Sequence, residues 1–302
     1  MNCNNLRAPG EYRRPNGELA VVTPELVAAQ QARLAELLAS LKPDVVVLQE
    51  VGSQAGLEAV VALTGVPYHF FLAQPDDRSM ANAILYLGQG KVRSLGFSAL
   101  PLPVLTESDT DTYGPRLATK RGYVQAELEF RGRPLHVIGL HLRSSLPRKL
   151  KNSLGKGVPI ATQQEAGDGV IRSELWRLAE ARAVRSVVDR LLAQDAEAQV
   201  VVLGDFNAQA GSTVCKVIEG PLAEGRLTRA LDTVPADERY SVLRANGRRD
   251  LIDHVLISPS LVSCLGEVRI LNSMLKSEAE LPTGVPAIES DHASVVVELK
   301  DS

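Results

Sequence analysis

The chain has 302 residues, 45% of them hydrophobic, enough for one large core or two small ones, and α/β enzymes of this length are commonly single domains. Its net charge of -3 and pI near 6.0 exclude a globally basic surface, so any hold on a polyanion must come from local Lys and Arg and from bound cations. No apolar run reaches the roughly 18 residues of a membrane span, and Cys3, Cys215 and Cys264 are too scattered for a disulfide framework or a zinc-ligand spacing. The N-terminus lacks the charged-then-apolar pattern of a signal peptide, so the chain is expected to be soluble. A leader removed ahead of position 1 is compatible with it, and cytoplasmic and secreted locations both stay open.

Thr23 is a cap candidate ahead of Pro24 and Glu25, and Leu26, Val27, Leu34, Leu37, Leu38 and Leu41 recur at a helical period, which predicts a surface helix over 24–41. Pro43 ends it. Val45-Val46-Val47-Leu48 is a continuous apolar run of the kind buried on both faces, with Glu50 at the end of that strand. A helix is expected over 54–63 and short strands around 68–72, 83–87, 123–130 and 135–140. Residues 144–172 carry Lys149, Lys151 and Lys156, several Gly and Pro and no apolar period, which predicts a long mobile loop, either functional or merely a solvated insertion. A long helix is expected from Ser173 to Ala193, a strand over 200–203, a short helix after Ser212, and strands over 251–257 and 294–299. Strands in successive pairs with occasional helices predict one α/β domain over 1–302, a sandwich of two sheets covered outside by helices.

Polar residues stand where these strands end and the core would otherwise continue. Val200-Val201-Val202-Leu203 runs into Gly204-Asp205-Phe206-Asn207, so an acid and an amide two apart project to one side. Glu50 follows its own apolar strand, Asp253 is embedded in another, and Ser290-Asp291-His292 precedes the last. Singly, each reads as a turn or a cap. Together they are more economically explained by convergence on one cleft, because charges at the edge of a core are costly unless paired or bound to metal.

The order and wording of these segments carry a resemblance. Asn2-Cys3-Asn4-Asn5-Leu6, Leu48-Gln49-Glu50, Gly139-Leu140-His141-Leu142, Gly204-Asp205-Phe206-Asn207, Ile252-Asp253-His254 and Ser290-Asp291-His292 span nearly the whole chain. In this order the sequence resembles the endonuclease/exonuclease/phosphatase superfamily, which has the deoxyribonuclease I-like fold and includes abasic-site endonucleases, sphingomyelinases and inositol-phosphate phosphatases. Gly-Asp-Phe-Asn followed by Ser-Asp-His is its most specific part. The chain departs from the family pattern in that only Met1 precedes the asparagine matched to Asn2.

The resemblance implies a four-layer sandwich of two mainly antiparallel sheets flanked by helices, and hydrolysis of a phosphodiester by water. It makes Glu50 the principal metal carboxylate, with Asn2 and Asp291 completing the metal region. Oxygen ligands suit Mg²⁺ or Mn²⁺, and the lack of a Cys/His cluster speaks against zinc. Asp205, oriented with Asn207, is implied as the group that relieves the attacking water of its proton. Asp253 is implied as the partner of His292, fixing its tautomer and raising its pKa. His141 would touch the scissile phosphate or protonate the leaving group, and which of His141 and His292 gives the proton stays open. Arg121 matches a phosphate-clamping arginine, while its bland reading is a solvated edge charge. Tyr240-Ser241 and the turn Asn246-Gly247 read as hairpin structure, and His69, His136 and His254 as structural.

The expected activity is metal-dependent cleavage of nucleic acid, DNA ahead of RNA. Basic residues from Arg143 to Lys156, with Arg116, Lys120 and Arg121, suit a phosphate backbone. The alternatives are a phosphomonoesterase or sphingomyelinase-like phosphodiesterase of the same fold, and a non-catalytic module that kept the scaffold. The last should have lost a central acid or histidine, and none is missing. A monomer with no stable protein partner and no membrane association is expected, since no apolar wedge for membrane entry is evident.

Overall fold

The structure is a computed structural model describing residues 1–13, 19–76, 79–98, 119, 121–149, 158–277, 280, 288 and 290–301. The first third contains β1 (Asn2–Leu6), β2 (Gly10–Arg13), β3 (Leu19–Val22), α1 (Pro24–Leu41), β4 (Val45–Val51), α2 (Gln54–Thr64), β5 (His69–Leu72), β6 (Ala81–Tyr86) and β7 (Lys91–Leu95). It is followed by β8 (Tyr123–Phe130), β9 (Arg133–His141), α3 (Gln163–Gln194), β10 (Gln199–Asp205), α4 (Thr213–Glu219) and β11 (Thr228–Arg229). The last elements are β12 (Val242–Leu243), β13 (Arg249–Asp250), β14 (Asp253–Ile257), β15 (Leu265–Leu271) and β16 (Ser294–Leu299).

Two sheets face each other. One has the order β1-β4-β6-β5, the other β11-β14-β10-β9-β8-β7. Within them β1 with β4 and β9 with β10 run parallel, and the other pairs are antiparallel. The apolar run in β4 divides as strand alternation requires: Val46 and Leu48 pack with Leu34 and Leu38 of α1 and Leu57 and Val60 of α2, whereas Val47 points at Ile84, Val137 and Val201 between the sheets. β10 repeats the division, sending Val200 and Val202 to Val184, Val188 and Ile218 of α3 and α4 and Val201 inward. Four layers result, helices outside and two sheets inside. Gly139 permits the close approach of the sheets, because a Cβ there would lie 2.4 Å from a Val47 methyl.

Helix boundaries follow from caps. Thr23 accepts the Leu26 N–H at 3.2 Å, and α1 covers the predicted 24–41. The long helix starts ten residues before the expected Ser173. Thr162 and Glu165 form a capping box, with the Glu165 N–H on the threonine hydroxyl at 3.1 Å and the Thr162 N–H on the Glu165 carboxylate at 3.0 Å. Residues 163–172 are therefore helical, not loop; the first turns leave Val170 and Ile171 exposed, so no apolar period announces them. Residues 144–149 are tied to α3 through the Arg148 N–H to Gly169 O at 2.9 Å and the Ser173 hydroxyl to Leu146 O at 2.6 Å. Lys151, Lys156, Arg116 and Lys120 lie outside the described residues.

Candidate active site

Alternation along three neighbouring strands decides which polar side chains meet. Ile138 and Leu140 of β9 pack toward α3, so His141 falls on the inner face with Val137; the same parity puts Asp205 inward with Val201, and Asp253 inward with Val255 and Ile257. Register then sets the three abreast, Asp205 pairing with His141 on one side and Asp253 on the other. Gly204 allows the strands to close: its φ is +137°, and a Cβ would sit 1.9 Å from the Leu140 carbonyl oxygen, so no other residue fits.

His292, just before β16, completes the group. Its Nδ1 lies 2.7 Å from Asp253 Oδ2. Asp205 Oδ1 accepts the Asn207 N–H at 2.8 Å, while Oδ2 lies between two imidazoles, 3.4 Å from His141 Nε2 and 4.0 Å from His292 Nε2. Asn207 is held at φ 48° and its side-chain amide donates to Leu142 O at 3.1 Å, which fixes the turn after β10.

Charges in this group are sharply tuned. Burial pushes the Asp205 carboxyl above its usual range; His292 pulls it down, Asp253 pushes it up, the Asn207 N–H opposes and Glu50 adds to the rise. Burial also opposes ionisation of Asp253 and His292, yet their mutual attraction wins. Asp253 is lowered by His292 and by Ser241, and His292 is raised by Asp253, Asp205 and Asp291. Asp253 and His292 thus form a charged dyad beside a carboxylate of enhanced basicity.

Glu50 reaches the site through a backbone irregularity. Register shifts between Leu48 and Val51 against β6, and Glu50 takes φ 61°, the left-handed region that a non-glycine residue adopts only at a cost. The bulge resets the alternation, so Leu48 and Val51 both pack on the outer helical side. Glu50 is close enough for its charge to raise both Asp205 and Cys3. Asn2, buried in β1, pairs with Gln49, the residue before Glu50. Glu50, Asn2 and Asp291 offer only oxygen donors, a set that fits a hard divalent cation. Single ligand atoms of Asp205, Asp253 and His292 also lie within 4.8 Å of one another. His292 turns its Nδ1 to Asp253, an arrangement that also suits this trio to handling protons.

Comparison with known proteins decides the lineage. The Endonuclease/Exonuclease/phosphatase family matches residues 2–292 of the chain, from Asn2 to His292. The chain belongs to this family. No curated protein sequence matches it. Solved structures of the family fold do. TDP2 of D. rerio, complexed with single strand DNA product, is 18% identical with a TM-score of 0.55, covering 91% of this chain and 92% of that one. The human Nocturnin catalytic domain with bound sulfate is 19% identical with a TM-score of 0.53, covering 90% and 86%. A mannosyl-6-phosphatase of Bacteroides thetaiotaomicron is 15% identical with a TM-score of 0.54, covering 91% and 91%. Members of the endonuclease/exonuclease/phosphatase family share this phosphoesterase fold and are generally divalent-metal dependent.

Of the residues expected from sequence, the fold gathers His141, Asp205, Asn207, Asp253 and His292 into one cluster and sets Glu50 and Asp291 beside it. Arg121 lies behind His141, its NH1 2.9 Å from Nδ1 and its NH2 3.3 Å from Asp76 Oδ2. His254 faces away, its Nε2 2.8 Å from Ala208 O. Two contributors carry no sequence motif. Asp76 anchors Arg121, and the Ser241 hydroxyl accepts the Ile252 and Asp253 N–H groups, each at 3.2 Å. Ser241 was read only as hairpin structure; its hairpin, β12 with β13, does form, and the same residue also supports Asp253.

Proposed function

We propose that this chain is a divalent-metal-dependent phosphodiester hydrolase that cuts nucleic acid, DNA ahead of RNA, by attack of water on phosphorus. The observation that carries the reading is a buried carboxylate, Asp205, set between His141 Nε2 and His292 Nε2. In this reaction the water oxygen bonds to phosphorus, its proton passes to Asp205, and the phosphorus–oxygen bond to the leaving group breaks, the departing oxygen gaining a proton from an imidazole or from water. The Asp253–His292 dyad supplies positive charge where phosphate oxygens become more negative. A cation held by Glu50, Asn2 and Asp291 would add Lewis-acid stabilisation when bound.

Substrate choice rests on the surroundings. Arg143 and Arg148, following His141, have their guanidinium carbons 5.6 Å and 4.0 Å from the centre of the Trp176 ring, and with Lys149 they make a basic rim that supports a polyanionic substrate. The single-stranded DNA product held by the D. rerio relative supports the same reading. One feature favours a second: a cavity of about 320 Å³ beside His292, lined by Leu34, Leu37, Leu271, Met274 and Leu275, is of a size for a small organic group. A panel of supercoiled plasmid, single-stranded DNA, RNA, sphingomyelin, inositol phosphates and a bis-aryl phosphodiester, each with Mg²⁺, Mn²⁺ or chelator, separates them. Nicking of plasmid with either ion is expected. Turnover confined to small phosphoesters would replace the nuclease reading by the second, and no turnover anywhere would sink both.

A further inference from the structure

The two histidines that flank Asp205 are held in opposite ways at their far nitrogens. His292 presents Nδ1 to a carboxylate, Asp253, at 2.7 Å, and must donate there. His141 presents Nδ1 to a guanidinium, Arg121 NH1, at 2.9 Å. An arginine has donors only, so this nitrogen of His141 must accept, and the ring proton is left on Nε2, facing Asp205 at 3.4 Å. The guanidinium is itself aimed by a buried acid: Asp76 Oδ2 is 3.3 Å from Arg121 NH2, and Asp76 Oδ1 accepts the Met80 N–H at 3.0 Å. Both side chains are less than a tenth exposed, so the ion pair is sheltered from solvent and fixed in direction.

We propose that Asp76 and Arg121 are positioning residues that lock His141 as the neutral ring protonated at Nε2, so that His141 serves the reaction as a hydrogen-bond donor to a phosphate oxygen and not as the acid that protonates the leaving group. The tautomer assignment stands on the geometry alone; its catalytic meaning rests on the hydrolase reading above. No proton moves at His141 in this role. A cationic His141 would place a donor N–H against Arg121, two positive groups in a buried contact, which opposes the attraction of the Asp205 carboxylate at Nε2. The sequence-based expectation for Arg121, a clamp on substrate phosphate, places its role in binding; the positioning role places it in the chemical step.

Histidine-selective ¹⁵N labelling of the full chain tests this without substrate. Long-range ¹H–¹⁵N correlation at neutral pH, with His141 assigned by signal loss in His141→Gln, should show a neutral ring with its proton on Nε2. A doubly protonated His141, or one with its proton on Nδ1, in the wild-type protein would overturn the proposal outright, whether or not any variant folds. In Arg121→Met that signature should give way to mixed tautomers or a cationic ring, with kcat falling at least about 10-fold and KM within about 3-fold. The pair Arg121→Gln with Asp76→Asn removes both charges together and keeps the test usable if the single change unfolds the chain; it too should lose the single tautomer. A rise in KM at unchanged kcat, with the tautomer unmoved, would return Arg121 to a phosphate clamp and refute the positioning role. The nuclease reading fails separately, through absent turnover in a wild-type protein whose His141 spectrum is as expected.

Discussion

Asp205 is the side chain on which opposing demands meet. Its burial and its acidic neighbours raise its pKa, so it is a stronger base than an exposed aspartate but needs a higher pH to be ionised. The rate should therefore climb with pH through a region above the ordinary carboxylate pKa of about 3.9, and Asp205→Asn should lower kcat by about 10²- to 10⁴-fold. The same shift has a stability consequence of definite sign. A carboxyl whose folded pKa is raised costs the fold nothing below the unfolded value, progressively more between the unfolded and folded values, and its full penalty above the folded one. In chelator, Asp205→Asn should consequently be more stable than wild type at neutral pH, by on the order of 1 kcal/mol, with the difference vanishing below about pH 4. Urea unfolding at the two pH values checks it, and an equal loss of stability at both would contradict the origin assigned to the shift.

Strand ends and one bulge do the assembling. Gly204→Ala places a Cβ against the Leu140 carbonyl in a region of φ that L side chains rarely adopt, so it should destabilise by about 3 kcal/mol or more and separate His141 from Asp205. A variant with wild-type urea midpoint and activity would show that β9 and β10 need not approach so closely. Glu50→Gly should separate the two duties of that position: backbone strain at φ 61° is relieved, leaving stability unchanged or up to about 1 kcal/mol higher, while activity is lost with the metal carboxylate. A marked loss of stability would mean that Glu50 is a structural residue. These elements also show what the sequence made legible. The runs in β4 and β10 are buried on two faces, and both the strands and the polar residues ending them were readable from composition alone. The start of α3 was not, because capping rather than an apolar face begins it, although Thr162 and Glu165 stand at capping-box spacing. The bulge at Glu50 leaves no signature, since no glycine marks it. Asp76 is brought to Arg121 only by long-range folding, so nothing adjacent to it in the chain discloses its partner.

At the scale of the molecule, two sheets stacked with helices outside bring one edge of a parallel pair, β1 with β4, opposite another, β9 with β10. Glu50 and Asn2 come from the first sheet, His141, Asp205 and Asp253 from the second, and Asp291 and His292 from the segment before β16. The proposed division of labour gives Glu50, Asn2 and Asp291 the cation and Asp205, Asp253 and His292 the protons, with a phosphate between. Plasmid cleavage by chelator-treated protein, followed as Mg²⁺ or Mn²⁺ is added back to wild type and to Glu50→Gln side by side, tests that union most directly. The proposed mechanism predicts no cleavage in chelator, recovery in the wild type as the ion is restored, and a rate at least about 100-fold lower in Glu50→Gln at the same ion concentration. Undiminished cleavage in chelator, or full recovery in Glu50→Gln, would contradict it.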